Sequence, residues 1–129
     1  MFRIYVLGNP LVKVDSLPLQ LLTQLRKKFE KISFIELDPT ESFPEEEHFI
    51  IIDTVLNASK VVLLNNIDDI QFHTQFSLHD FDLGFNLKLL KKLGKIKKVS
   101  IIGIPPNIKK EEALEEIEKI IPSLLSKSG

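Results

Sequence analysis

The sequence predicts an α/β protein: a three-layer sandwich in which a mixed, mostly parallel five-stranded twisted sheet carries helices on both faces. Three observations predict it. Short β-rich apolar runs alternate with segments of helical period, the pattern of strands separated by helices. One run, His48-Phe49-Ile50-Ile51-Ile52-Asp53, is apolar without interruption between its ends, as suits a strand covered on both faces. The last apolar run leads through Pro105-Pro106 into a long amphipathic stretch. With 129 residues the chain has the size of one domain, and 1–129 is taken as a single unit.

The elements follow in order. Residues 2–7 form a short strand that runs into the turn Gly8-Asn9-Pro10. Ser16 or Asp15 is placed to cap a helix starting near Leu17, with Pro18 tolerated in its first turn. Leu21, Leu22, Leu25 and Phe29 form its apolar stripe, while Gln24, Arg26, Lys27 and Lys28 take the other face. Residues 32–37 read as the second strand, 38–47 as an acidic turn region, and 48–53 as the third strand. Residues 60–64 are a fourth strand, close enough to the third for an antiparallel, hairpin-like return. Phe81, Phe85, Leu89 and Leu93 line one face of a helix that Gly94 ends. Residues 99–104 are the last strand. Residues 109–126 are a helix with Leu114, Ile117, Ile121 and Leu124 inward, which Pro122 kinks or shortens. Strands 1 and 3 are expected as neighbours, with strand 2 outside strand 1.

Composition narrows the function classes. Basic and acidic residues number 17 and 18, so no strong pull toward nucleic acid or an acidic membrane is expected. Lys88, Lys91, Lys92, Lys95, Lys97 and Lys98 cluster, and a solvated helix end with its loop accounts for them better than a phosphate site. There are no cysteines, which excludes disulfides, thiolate metal ligands and cysteine nucleophiles. No apolar run has membrane-spanning length, and the opening run is too short for a signal peptide. The expectation is a cytoplasmic protein with no membrane insertion. Oligomeric state stays open, because Phe72, Phe76 and Phe81 suit a core, a substrate groove or a subunit contact, with a core ranked first.

In open sheets of this kind ligands gather at the carboxyl ends of strands, where strand order reverses. The first strand delivers Asn9 and its loop to that edge, and the third delivers Asp53. Asp15 joins them if the loop folds back before the helix, and Ser77-Leu78-His79-Asp80 can reach the same rim. Two carboxylates held together repel each other, and a bound cation relieves that repulsion. Carboxylate and imidazole donors suit a borderline divalent metal such as zinc or nickel. Each residue also has an ordinary role: Asp15 as a helix cap, Asp53 as a turn residue, His79 as a loop histidine. His73 competes with His79, while His48 starts the third strand at the far end. No G-x-G-x-x-G or P-loop pattern is present, and a Ser77–His79–Asp53 triad lacks a G-x-S-x-G elbow.

Three motifs in order carry a family resemblance. Val6-Leu7-Gly8-Asn9-Pro10-Leu11 with Asp15, the strand ending in Asp53, and Ser77-Leu78-His79 with Leu83 resemble those of the hydrogenase maturation endopeptidases. The closing Ile101-Ile102-Gly103-Ile104-Pro105-Pro106 is similar to that family's last strand and turn. The resemblance implies a peptidase, metal-dependent or aspartic in type, that removes the C-terminal extension of a nickel-loaded [NiFe] hydrogenase large-subunit precursor. It implies Asp15, Asp53 and His79 as the catalytic set that meets nickel in the substrate; in such an enzyme Asn9 is expected to shape the loop or hydrogen-bond the substrate. A nickel, zinc or cadmium ion at the triad is the cofactor it allows. Against the family pattern stand Val14 before Asp15, Leu17-Pro18, the short 38–41 connection and Asn107. These departures keep open a second reading, a non-catalytic metal- or precursor-binding maturation module of the same fold.

Overall fold

The computed structural model describes residues 2–7, 16–37, 46–56, 58–65, 92–94 and 96–127. Asn9, Asp15, His73 and His79 lie outside them, as does all but the end of the helix expected over 81–93. The elements are β1 (Phe2–Val6), α1 (Leu17–Gln20), α2 (Leu22–Lys28), β2 (Ile32–Glu36), β3 (Glu46–Thr54), β4 (Val62–Leu64), β5 (Ile96–Ile104) and α3 (Lys110–Lys127).

The strands form one sheet in the order β2-β1-β3-β5-β4. β1 lies parallel between β2 and β3, with Ile4 opposite Phe34 and Tyr5 opposite Ile51. β3 is parallel to β5 along most of its length, from Glu46 opposite Ile96 to Thr54 opposite Ile104. The expected neighbours, β1 with β3 and β2 outside β1, are those observed. The fold is thus α/β with a mixed, mostly parallel five-stranded sheet.

β4 corrects one expectation. It is antiparallel, but its partner is β5 rather than β3, with Val62 opposite Gly103 and Leu64 opposite Ile101. The two edges of β3 are taken by β1 and β5, so no place is left for a hairpin. Gly103 makes the arrangement possible. A Cβ there would sit 2.5 Å from Val55 Cγ2 and 3.0 Å from Val62 Cγ2, so both valines fill the space a side chain would need.

Alternation along the strands divides the core. Ile4, Val6, Ile50, Ile52, Ile102 and Ile104 face one side, packed on Leu21, Leu22 and Leu25 and on Ala113, Ile117, Ile121 and Leu124. Among the described residues all three helices lie on this side. Tyr5, Leu7, Phe49, Ile51, Val99 and Ile101 are buried on the other. Phe49 stacks on Tyr5 with ring centroids 5.0 Å apart. Burial of each such side chain contributes roughly 1.5–3 kcal/mol. The Tyr5 hydroxyl donates to Glu46 Oε1 at 2.9 Å, and Arg3 pairs with the same carboxylate. Burial first, and then the Glu46 carboxylate, raises the phenol above its ordinary value, so it stays a donor.

The helices depart from expectation in three details. The predicted single helix after Ser16 is two, because Leu21 tightens the chain: its N–H bonds Pro18 O, three residues back. Ser16 is at the N-cap, yet its side chain makes no capping bond; its Oγ accepts from Gln20 Nε2 at 2.9 Å instead. Pro122 neither ends nor shortens α3, which runs on to Lys127. Pro122 is exposed, so water can satisfy the carbonyl that its missing N–H leaves unbonded. Leu114 is only partly buried, and Ala113 takes the inward position beside it. The positive φ of Gly94, 79°, fits the helix-ending role read from the sequence.

Candidate active site

β1, β3 and β5 run parallel, so their carboxyl ends share one edge. Strand order leaves β1 toward β2 on one side and β3 toward β5 on the other, which makes the β1–β3 boundary the switch point. Asp53 stands there, next to last in β3, and is fully buried. Thr54 N–H donates to its Oδ1 at 2.8 Å. That bond fixes the plane of the carboxylate from the residue beside it.

By alternation Asp53 points to the Phe49 and Ile51 side, and Thr54 to the helix side. Thr54 is fully buried too, and its hydroxyl has no hydrogen-bond partner among the described residues. Sequence reasoning passed over Thr54. Its signal was available: a polar residue directly following an aspartate that ends an apolar strand.

Of the expected set, the structure places Asp53 alone, because Asp15, His79 and Asn9 lie outside the described residues. Among the described residues no three metal-ligating side chains come together. The Asp53 position meets the strand-end expectation; the convergence of the three side chains is not described.

His48 is at the other end of β3, about 17 Å from Asp53 at 3.3 Å per residue. It has its own network. Ser100 Oγ–H donates to Asn65 Oδ1 at 2.6 Å, which commits the single hydroxyl proton. His48 Nε2 lies 2.7 Å from Ser100 Oγ, whose proton is already given to Asn65, and is therefore the donor. The relay ties β3, β5 and the end of β4 together. It lacks the order of a nucleophilic triad, because the serine proton points away from the imidazole.

Burial first, and then the charge of Lys98, holds the His48 imidazole below its ordinary value of 6.5. The unfolded chain therefore takes up this proton at a higher pH than the folded one. Below that value the unfolded state binds more protons, and stability falls with falling pH. The contribution is whole above 6.5 and is lost as pH drops through the folded value. His48→Gln should flatten this slope. Urea midpoints of wild type and variant at about pH 7.5 and about pH 5.5 check it. Equal slopes would remove His48 as the cause.

Beside the Asp53 edge lies a cleft of about 420 Å³, lined by Ala58, Ser59, Pro105, Pro106, Asn107, Ile108, Lys109 and Glu112. Asn107 adopts φ 69°, the left-handed conformation that asparagine tolerates better than most residues, and turns the chain from β5 toward α3. Among the described residues no helix is long and apolar enough to cross a membrane.

An α/β sheet with a buried, backbone-oriented carboxylate at its switch point defines a class: proteins whose chemistry is carried at the strand ends. Comparison with known proteins narrows it. The HycI model, described as hydrogenase maturation protease, matches residues 35–127, and the chain belongs to that family. The match includes Asp53 and His79 and leaves Asn9 and Asp15 outside. The fold is similar to the solution structure of an endopeptidase HycI from Escherichia coli, with a TM-score of 0.56 and 20% sequence identity. That similarity covers 92% of this chain and 88% of the other. No curated protein matches the sequence.

Proposed function

We propose that the protein is an endopeptidase that removes the C-terminal extension of a nickel-loaded [NiFe] hydrogenase large-subunit precursor. The observation that carries this reading is Asp53. It is a fully buried carboxylate at the switch point, within the segment that matches the family.

Nickel belongs to the substrate here. Asp15 and Asp53 offer carboxylate oxygens and His79 an imidazole nitrogen, a donor set suited to nickel and equally to zinc or cadmium. The Thr54 N–H on Asp53 Oδ1 is the kind of outer contact that orients a ligating carboxylate. When bound, such an ion supplies Lewis acidity toward the scissile carbonyl. Asp53 or Asp15 takes the proton of the attacking water, and Asn9 contacts the substrate chain. Burial of Asp53 keeps bulk water from competing for its oxygens. In this reading the reaction takes place in the cytoplasm.

The test is to incubate the purified protein with its precursor, loaded or not loaded with nickel, and weigh the products. The nickel-loaded precursor should be shortened and the nickel-free one left intact. A stable complex without cleavage would point instead to a non-catalytic maturation module. Cleavage regardless of nickel would remove the metal from recognition.

A further inference from the structure

We propose that the outer edge of β2 is a strand-addition site: an extended segment of the precursor, with an acidic residue beside Phe34, pairs along it. The identity of the partner rests on the protease reading above; the surface itself does not.

The edge is open. β2 ends the sheet and has β1 on one side only. Leu37 N–H donates to Val6 O at 2.9 Å, so Ser33, Ile35 and Leu37 turn their backbone groups toward β1. By alternation Ile32, Phe34 and Glu36 turn theirs outward. Ile32 N–H donates to Phe29 O at 3.1 Å, and Phe34 O accepts from Arg26 Nη2 at 2.8 Å. Ile32 O, Phe34 N–H and both backbone groups of Glu36 have no partner among the described residues.

Natural sheets blunt such edges with charges, prolines, bulges or short strands. The opposite edge, β4, is three residues long. β2 has five residues, and its register with β1 runs without a bulge from Ile32 to Glu36. Its inner positions, Ser33-Phe34-Ile35, hold neither charge nor proline. They leave a row of donors and acceptors at strand spacing, which is what an added strand uses.

Charge selects the occupant. The bond to Phe34 O holds the Arg26 guanidinium over the middle of the edge, and that group has further donors to give. Lys27 follows it in α2, and Lys31 leads into β2; both are exposed. Among the described residues none of these three cations pairs with a carboxylate. Glu30 and Glu36 stand at the two ends of the strand, so the positive charge is in excess at its middle. A carboxylate on the added strand beside Phe34 meets Arg26. A second copy would bring its own Arg26 to that place, and like charges there oppose it.

Position suits the precursor. Val6 is level with Glu36 on one side and with Ile52 on the other, so this edge opens at the same rim as Asp53. An added strand lies three strand spacings, about 14 Å, from β3. One part of a folded substrate is gripped there while another part of its chain reaches Asp53.

The test removes a hydrogen bond and a charge separately. Glu36→Pro deletes an outward N–H and spares the pairing with β1; Arg26→Glu reverses the charge. A thermal melt verifies that each variant folds. Affinity for nickel-loaded precursor is read as KM where the precursor is cut and as Kd where it is not. Each variant should lose at least about tenfold at low salt. At high salt the loss in Arg26→Glu should shrink, because screening weakens the charge, and the loss in Glu36→Pro should persist. Unchanged KM in both variants would overturn the edge and leave the protease reading standing. If the wild type binds without cutting, a weaker Kd in both variants supports the edge and sinks the protease reading. A wild type that does not bind the precursor overturns both. A wild-type dimer that Glu36→Pro dissolves assigns the edge to a second copy and overturns the precursor as its occupant.

Discussion

Asp53→Asn is expected to lower precursor processing by more than about 100-fold while the protein stays folded. Loss of a residue that merely supports a ligand costs about 10–100-fold, so the larger effect separates a ligand or base from a positioning role. Asparagine keeps a side-chain oxygen to accept from Thr54 N–H, so the local geometry survives and only the charge is removed. The urea midpoint should therefore report a change within about 2 kcal/mol, inside the range of ordinary substitutions. Asp15→Asn and His79→Ala should match it in activity if the three act as one unit, and combining them should add little. Processing by Asp53→Asn at the wild-type rate would remove the proposed machinery.

The largest effect on stability is expected at Gly103. Any side chain begins with a Cβ that meets Val55 at 2.5 Å and Val62 at 3.0 Å. Both neighbours are branched at Cβ and have few alternative rotamers. Overpacking costs typically 1–3 kcal/mol, so Gly103→Ala should lose about 2 kcal/mol and Gly103→Val about 3 or more. Because Gly103 is the register partner of Asp53, the same push disturbs the strand end that carries the carboxylate. Activity at a temperature where Gly103→Ala is fully folded should thus fall as well. Adding Val55→Ala should return part of the stability lost by Gly103→Ala, and a double-mutant cycle by urea denaturation measures that coupling. Gly103→Ala with a wild-type midpoint would refute the packing explanation.

Much of the fold is written locally. The runs around Ile4, Phe34, Ile50 and Ile102 name four strands because burial on both faces demands apolar residues at successive positions. The strand ends are less visible. Glu46, Glu47, Lys97 and Lys98 read as loop, yet β3 and β5 extend through them because each strand supplies the other's hydrogen bonds. That information sits in the partner, and no local pattern contains it. The same holds for β4, whose place depends on the small size of Gly103 forty residues later. Pro122 is a local signal overruled by packing, since Ile121 and Leu124 on either side are anchored in the core. At the site, Asp53 was legible because an aspartate ending an apolar strand is unusual. The cleft was not, because its two walls come from loops far apart in sequence.

The reversed direction of β4 eases a distance problem that the chain must solve. β4 heads down from Gly103 toward the Ser100 level, away from Asp53, and β5 begins lower still at Ile96. From the height of Asp53 to that of Ile96 is a drop of about 23 Å along the sheet. Had β4 run the other way, the chain would leave it about 23 Å above the start of β5; running downward, it leaves at the Ser100 level, only about 13 Å from Ile96.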